Sequence, residues 1–249
     1  MFRLLIDPPQ SGSWNMSLDE QLLVSAAEGV ATVRLYQWSE PTLSLGYFQS
    51  LAERDMHTAS RHCAIVRRAS GGGAILHDRE LTYSIAVPVR NRFSTYATHL
   101  YDAAHDTLVD TLAEWQISAE KCLIPDDSHP QPFLCFERRA SGDVILDRKK
   151  IVGSAQRRNR GAVLQHGSIL LARSEFAPEL PGIAELARNT GTTHSQQITS
   201  EELIARWLPR LTEYLKIELV PGEITTAEKS GAESIAATKF GCSDWLARR

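Results

Sequence analysis

A cysteine at position 135 and a lysine fifteen residues later are the two side chains best suited to covalent chemistry in this 249-residue chain. Cys135 sits in FLCFE (residues 133–137), among apolar neighbours, directly ahead of Glu137, Arg138 and Arg139 and behind a proline-bearing loop. A lone cysteine in apolar company is most often a small buried hydrophobe, the role expected of Cys63 in CAIV and of Cys122. At Cys135 the adjoining cations favour the alternative, because nearby positive charge lowers a thiol pKa and enlarges the nucleophilic thiolate fraction. Lys150 lies in RKKIVGSAQRR (residues 148–158), where a solvated basic turn is the ordinary reading. Side chains of a strand alternate, so Lys150 shares a face with Val152 and Lys149 with Ile151, and one of the two lysines must point inward. An inward lysine can hydrogen-bond a carbonyl or bias a thiol towards its thiolate.

From Arg67 to Asp78 the run RRASGGGAILHD joins two arginines, three glycines and a His-Asp pair. Glycines let backbone N–H groups approach an anion. No GK[ST] follows Gly73, however, and AILHD alternates like a strand, which argues against a dinucleotide or phosphate-loop fingerprint. A tight strand connection needing positive φ and a close approach to a ligand both remain, and the two are compatible. His166, in AVLQHGSILL (residues 162–171), reads either as a satisfied core histidine or as a catalytic base. The eight histidines show no HExxH or other metal spacing, and the four cysteines (63, 122, 135, 242) form no CxxC pair, so no metal site is expected.

Periodicity outlines the elements that must hold these residues. After an opening strand, Ser17-Leu-Asp-Glu20 reads as a capping box for a helix through Ala27, stopped by Gly29, with Leu18, Leu22, Leu23 and Ala26 on one face. Strand-like runs follow at residues 32–38 and 41–50, and again on either side of the triple glycine. A long helix is predicted over residues 95–115, where Leu100, Ala104, Leu108, Leu112 and Trp115 recur at helical spacing. A loop over residues 121–132 delivers Cys135. Residues 143–147, 150–158 and 162–171 read as strands, the last two a hairpin about Asn159-Arg-Gly161. Thr199-Ser-Glu-Glu202 is a second capping box, for a helix that Pro209 should kink or split, and a final helix spans residues 227–240. Strands gathered in the first half with segregated helices predict an α+β fold whose mixed or antiparallel sheet is flanked by helices. No linker or low-complexity tract divides the chain, so one domain over residues 1–249 is expected.

A net charge of -3 argues against a general nucleic-acid binder. Residues 134–160 nevertheless hold eight Lys/Arg against three acids, a basic rim suited to an anionic substrate or an acidic partner. Scattered free cysteines suit a reducing compartment, and eighteen apolar residues never run together, so a cytoplasmic protein without membrane contact is expected.

In sequence order, RRASGGGAILHD, KKIVGSAQRR and AVLQHGSILL resemble the motifs of the biotin/lipoate protein ligase superfamily. NMSLDEQLL, RLYQW with PTLSLGYFQ, and KFGCSDWLARR resemble its lipoate-protein ligase branch, so the similarity covers nearly the whole chain. The resemblance implies a class II synthetase-like catalytic domain with a bent apolar acyl tunnel beside the glycine-rich strand. It implies that Arg67, Arg68, Ser70, Gly71, Gly72, Gly73 and His77 line the acyl site from one side. Gly153, Ser154, Ala155, His166 and Gly167 would line it from the other, with Lys150 meeting the acyl carbonyl. Cys135-Phe136 and the LQHGS run resemble the cysteine-dependent octanoyltransferases of this superfamily, although Glu-Arg-Arg-Ala-Ser-Gly stands where that type usually has a Pro-Ser-Trp-Tyr-like stretch. Such an enzyme takes octanoyl from acyl carrier protein as a Cys135 thioester, without a cofactor. It passes the group to a lysine of a lipoyl domain or of glycine cleavage H protein. The ligase alternative would need ATP and Mg, with Arg67, Arg68 and Lys150 serving phosphate and adenylate. A homologue that binds an acyl group or lipoyl domain without turnover is the non-enzymatic alternative.

Overall fold

The computed structural model describes residues 1–89, 97–127, 130–159, 161–189 and 198–248. The chain opens with β1 (Phe2–Ile6), α1 (Gly12–Ala27), β2 (Thr32–Tyr36) and β3 (Thr42–Leu45). Two short 3-10 segments lead to β4 (Ala64–Arg67), β5 (Ile75–His77) and β6 (Glu80–Pro88). Then come α2 (Ala97–Glu114), β7 (Glu120–Lys121), a 3-10 turn at Cys135–Glu137, β8 (Val144–Leu146), β9 (Lys149–Asn159) and β10 (Ala162–Leu170). The remainder is α3 (Ile183–Asn189), α4 (Ser200–Leu215), β11 (Leu219–Pro221), α5 (Thr226–Ile235), a π-turn at Ala236–Phe240 and α6 (Ser243–Leu246).

An eight-stranded sheet in the order β11-β1-β2-β6-β10-β9-β8-β7 carries the fold, and a three-stranded sheet in the order β4-β3-β5 stands beside it. The large sheet is mixed: β1 runs parallel to β2 and β11, whereas the ladders from β2 to β7 are antiparallel. β6 is buried along nearly its whole length, and its two faces carry different chemistry. Leu81, Tyr83, Ile85 and Val87 join the main core with Leu100, Ala104, Leu108 and Leu112 of α2 and Trp207 and Leu211 of α4. On the other face Ala86 meets Leu18, Leu22, Leu23 and Ala26 of α1. Each such leucine contributes about 1.5–3 kcal/mol by leaving water, so both faces are anchored and the strands are held in fixed register. Among the described residues no helix is long and apolar enough to cross a membrane.

Several element boundaries differ from the sequence expectation. α1 begins at Gly12 with Ser11 as N-cap, and Ser17 lies within it, donating to the Ser13 carbonyl at 2.6 Å. The Ser-x-x-Glu pattern there is therefore a coincidence of mid-helix residues. The strand read over residues 41–50 stops at Leu45, because the chain turns at Gly46 and Ser50 caps the following 3-10 segment. The expected start of the long helix at Thr95 lies outside the described residues, as do Ser128 and His129 of the loop before Cys135 and Arg160 of the hairpin. Thr199 and Glu202 form the expected capping box, yet α4 continues through Pro209. Leu203, Trp207, Leu211 and Leu215 are buried on both sides of the proline, and Ala205, whose carbonyl loses its donor, lies on the exposed face where water can serve it. The final helix is interrupted: α5 ends at Ile235 and a π-turn carries the chain to Phe240.

Candidate active site

Cys135 is positioned by a main-chain clasp. Ala74 N donates to the Phe133 carbonyl at 2.9 Å and Cys135 N donates to the Ala74 carbonyl at 2.7 Å, a parallel bridge that lays residues 133–135 beside the chain just after the triple glycine. Glycine at 73 is what lets the two backbones meet, since a Cβ there would stand 2.9 Å from the Phe133 oxygen. Gly72 is the member with positive φ, at +97°. The run thus serves both as a turn and as a close approach, and the approach at Gly73 is to the protein's own backbone at Phe133 and Cys135. Leu134 and Phe136 pack into a core with Leu43, Leu45 and Leu76 of the small sheet, which leaves Cys135 half-buried between them.

Lys150 is the lysine that points inward. It is 6% exposed, Lys149 stands in solvent, and Lys150 Nζ lies 3.7 Å from Cys135 Sγ. Its closest partner is a residue sequence reasoning counted only as a charge: Asp143, 1% exposed, whose Oδ2 is 2.8 Å from Nζ. Asp143 is itself pinned, accepting from Tyr101 Oη at 3.0 Å and from Ala140 N at 2.6 Å. Burial and the neighbouring Asp143 carboxylate both push the Tyr101 phenol far above its ordinary range, so it stays a donor. A signal existed in the sequence: Asp143 opens the short strand that the 147–148 turn folds back onto Lys150.

A second polar chain supports this corner from α2. Gln165 Nε2 donates to Tyr83 Oη at 3.0 Å, and Tyr83 and Ser154 hydroxyls are 2.6 Å apart. Ser154 Oγ lies 2.7 Å from His105 Nε2, and His105 Nδ1 lies 2.7 Å from the Gly142 carbonyl. The carbonyl can only accept, which assigns the proton to Nδ1 and makes Nε2 the acceptor from Ser154. Burial lowers the His105 pKa to about 4, so the ring is neutral in this chain of bonds. His105, Tyr83 and Tyr101 carried no local motif, and periodicity alone reads them as helix and strand filling.

Tyr101, Cys135, Asp143, Lys150 and Ser154 border a cavity of about 250 Å³ between the two sheets. Gly71, Gly72 and His77 line it from the small-sheet side, Gly153, Ser154, Ala155, His166 and Gly167 from β9 and β10, with Arg68, Cys135 and Lys150 among them. Met16, Ile75 and Phe136 add apolar surface that the motifs did not announce. Three expected lining residues lie elsewhere. Arg67 is fully buried and gives its guanidinium hydrogens to the carbonyls of Gly46, Tyr47, Gln49 and Leu246. Ser70 stands behind His166, its Oγ 2.8 Å from Nε2, and Gly73 backs the Cys135 clasp. Arg68 does reach the cavity, but its Nη1 donates to Ser44 and its Nη2 to the carbonyls of Gly71 and Gly73, bracing the glycine loop. Burial lowers the His166 pKa to about 4; at pH 7 roughly one ring in a thousand is charged, which suits a neutral hydrogen-bonding wall better than a base. Among the described residues no group of three or more His, Cys, Asp or Glu is placed to hold a metal ion.

The mixed sheet with its flanking helices has the fold of solved lipoate-protein ligases. The fold matches a putative lipoate protein ligase from T. acidophilum with a TM-score of 0.78 at 21% identity, covering 100% of this chain and 99% of that one. A lipoate-protein ligase A bound with ATP matches with a TM-score of 0.76 at 21% identity, with 98% of each chain covered. The chain belongs to the lipoyl protein ligase A/B catalytic-domain family, whose model matches residues 11–191. In sequence it is similar over its whole length to octanoyltransferase LipM of Kyrpidia tusciae (33% identical) and of Brevibacillus brevis (30% identical), with 99% of each relative covered.

Proposed function

We propose that this protein, an acyltransferase, moves an octanoyl group from acyl carrier protein to a lysine of a lipoyl-accepting domain through a thioester on Cys135. The observation that carries the reading is the juxtaposition of Cys135 Sγ and Lys150 Nζ at 3.7 Å inside the cavity, in a chain similar from end to end to octanoyltransferases. The Cys135 thiolate attacks the octanoyl thioester carbonyl, the bond to the carrier's pantetheine sulfur breaks, and the released thiolate takes a proton from solvent. One thioester replaces another, so the step is close to neutral in energy and needs no ATP. Lys150 donates to the carbonyl oxygen as negative charge develops there. In the second half the acceptor lysine attacks as the free amine and the Cys135 C–S bond breaks. Of the two protons its ammonium sheds, one restores the thiol and one leaves to solvent. Amide formation drives this step forward.

The ATP-dependent alternative asks Arg67 and Arg68 to serve phosphate and adenylate. Their guanidinium hydrogens are directed to backbone carbonyls and to Ser44, which supports the transferase over the ligase. The acceptor is a lipoyl domain or glycine cleavage H protein, and the basic rim of residues 134–160 would meet the acidic surfaces of carrier and acceptor. The test is to incubate the protein with octanoyl-acyl carrier protein, then with a lipoyl domain, without ATP, and to follow mass. An octanoyl adduct on Cys135 followed by transfer is expected. Transfer of free octanoate or lipoate only when ATP is added would overturn the reading, and binding without transfer in either condition would favour a non-catalytic role.

A further inference from the structure

Lys150 stands between two groups that compete for its charge. Asp143 Oδ2 is at 2.8 Å and Cys135 Sγ at 3.7 Å. The shorter contact is no accident of a mobile side chain, because both partners are held from behind. Asp143 accepts from Tyr101 Oη and Ala140 N, its own N–H donates to the Ala140 carbonyl at 3.1 Å, and its carbonyl accepts from Cys122 N at 2.7 Å. On the lysine side, the stem is laid across residue 153. A Cβ at Gly153 would stand 2.4 Å from Lys150 Cε and 2.7 Å from Nζ, so a side chain there would displace the flexible end of the lysine from its course to the carboxylate. The ladder also shifts register between Val144 and Ile145, directly after Asp143.

We propose that Asp143 is the positioning residue of this site: it claims the Lys150 ammonium and so keeps it aimed at the acyl oxygen instead of letting it collapse onto the Cys135 thiolate. The inference rests on the octanoyl-transfer reading and goes beyond it by giving the lysine a fixed cationic role with its own counter-ion. The physical reason is geometric. An ammonium carries three hydrogens; with one fixed on a pinned carboxylate, another stays directed into the cavity for the carbonyl oxygen, whereas an ammonium drawn onto the sulfur is pulled away from that oxygen. The other charged or titratable groups at this corner are Arg68 and Arg138 on the cavity wall, Tyr101 and His105 from α2, and His77 and His166 deeper in the cavity.

The test uses the full chain and two variants. Asp143→Asn keeps the shape and removes the competing anion. The freed ammonium should then settle on the sulfur, moving the midpoint of Cys135 alkylation by iodoacetamide about one unit to lower pH. Octanoyl transfer should slow about tenfold or more, in kcat rather than KM. Gly153→Ala leaves every charge in place and pushes the lysine stem off its course, and it should lose transfer to a similar degree. Asp143→Glu should recover part of the loss. A midpoint that stays put or rises in folded Asp143→Asn overturns the proposal, as does wild-type transfer by folded Gly153→Ala. Should Asp143→Asn fail to fold, Gly153→Ala decides. The alkylation arm needs no acyl substrate, so a failure of the transfer reading and a failure of this one are separately visible.

Discussion

Two buried ionic clusters in this molecule use similar ingredients to opposite ends. Around Arg34, fully buried in β2, every guanidinium nitrogen has a partner: Nε donates to Asp7 at 2.6 Å, Nη1 to Asp19 at 2.8 Å and Nη2 to Asn15 Oδ1 at 2.8 Å. Asp19 is closed in turn by Tyr36 and Ser84. Around Lys150 the carboxylate is equally well held, but the cation faces a cavity and its second neighbour is a sulfur at 3.7 Å. The first cluster ties α1 to the sheet and, among the described residues, faces no cavity that its cation could serve. The second leaves its cation on a cavity wall beside a thiol. Burial and pairing alone do not separate the two clusters; a cation left beside a cavity does.

The comparison breaks most sharply at the sulfur. Cys135→Ser should lower octanoyl transfer by on the order of a thousandfold or more and abolish the acyl-enzyme mass adduct while urea unfolding stays near wild type; retained transfer would place the chemistry elsewhere. At the other cluster, Arg34→Met should leave the Asp19 charge short of its partner and cost about 3–5 kcal/mol of stability, read by urea denaturation. Transfer per folded molecule should stay within about threefold of wild type. A large kcat loss there would mean that the two clusters are coupled.

A third consequence concerns pH. His105 and His166 each have a folded pKa of about 4, below the ordinary value of 6.5. As pH falls through 6.5 the unfolded chain takes up protons that the native chain refuses, so stability should decline from there to about pH 4 and then level off. His105→Gln should flatten that decline in urea midpoints measured between pH 7 and 5; an unchanged slope would remove His105 from the account. The smallest effect is expected at the rim, where Arg148 and Lys149 are exposed. Replacing both with alanine should raise KM for the acyl carrier protein roughly threefold at low salt, less at high salt, with kcat unchanged.

Much of this site is legible in the chain because its loudest residues are local. Cys135 and Lys150 stand out by their neighbours, and strand alternation forces the choice between Lys149 and Lys150 that the structure resolves by burying Lys150. The α+β class and the long α2 follow from periodicity in the same way. What stays hidden is whatever depends on which strands become neighbours. Asp143 becomes a partner of Lys150 only because β8 folds back on β9, and Tyr101 and His105 join only because α2 packs over that edge. Arg67 and Arg68 are adjacent and look alike in sequence; one serves the C-terminal segment and the other the cavity wall, a difference made entirely by the alternation of side chains leaving β4. The capping pattern at Ser17 fails for a related reason, since two residues of matching type, Ser17 and Glu20, cannot reveal that the helix has already begun.

The Arg67 contacts also tie the glycine loop to a distant part of the chain. One guanidinium joins the carbonyls of Gly46, Tyr47 and Gln49 to that of Leu246, and Trp245 Nε1 returns a hydrogen bond to the Arg67 carbonyl at 2.9 Å. The turn it secures is the one whose Tyr47 N–H bonds to Ser70, next to the glycine loop. Arg67 and Leu246 are 179 positions apart in the chain. The wall beside the glycine loop is thus braced by a helical turn distant in sequence, and a change at that turn reaches the cavity without touching any residue that lines it.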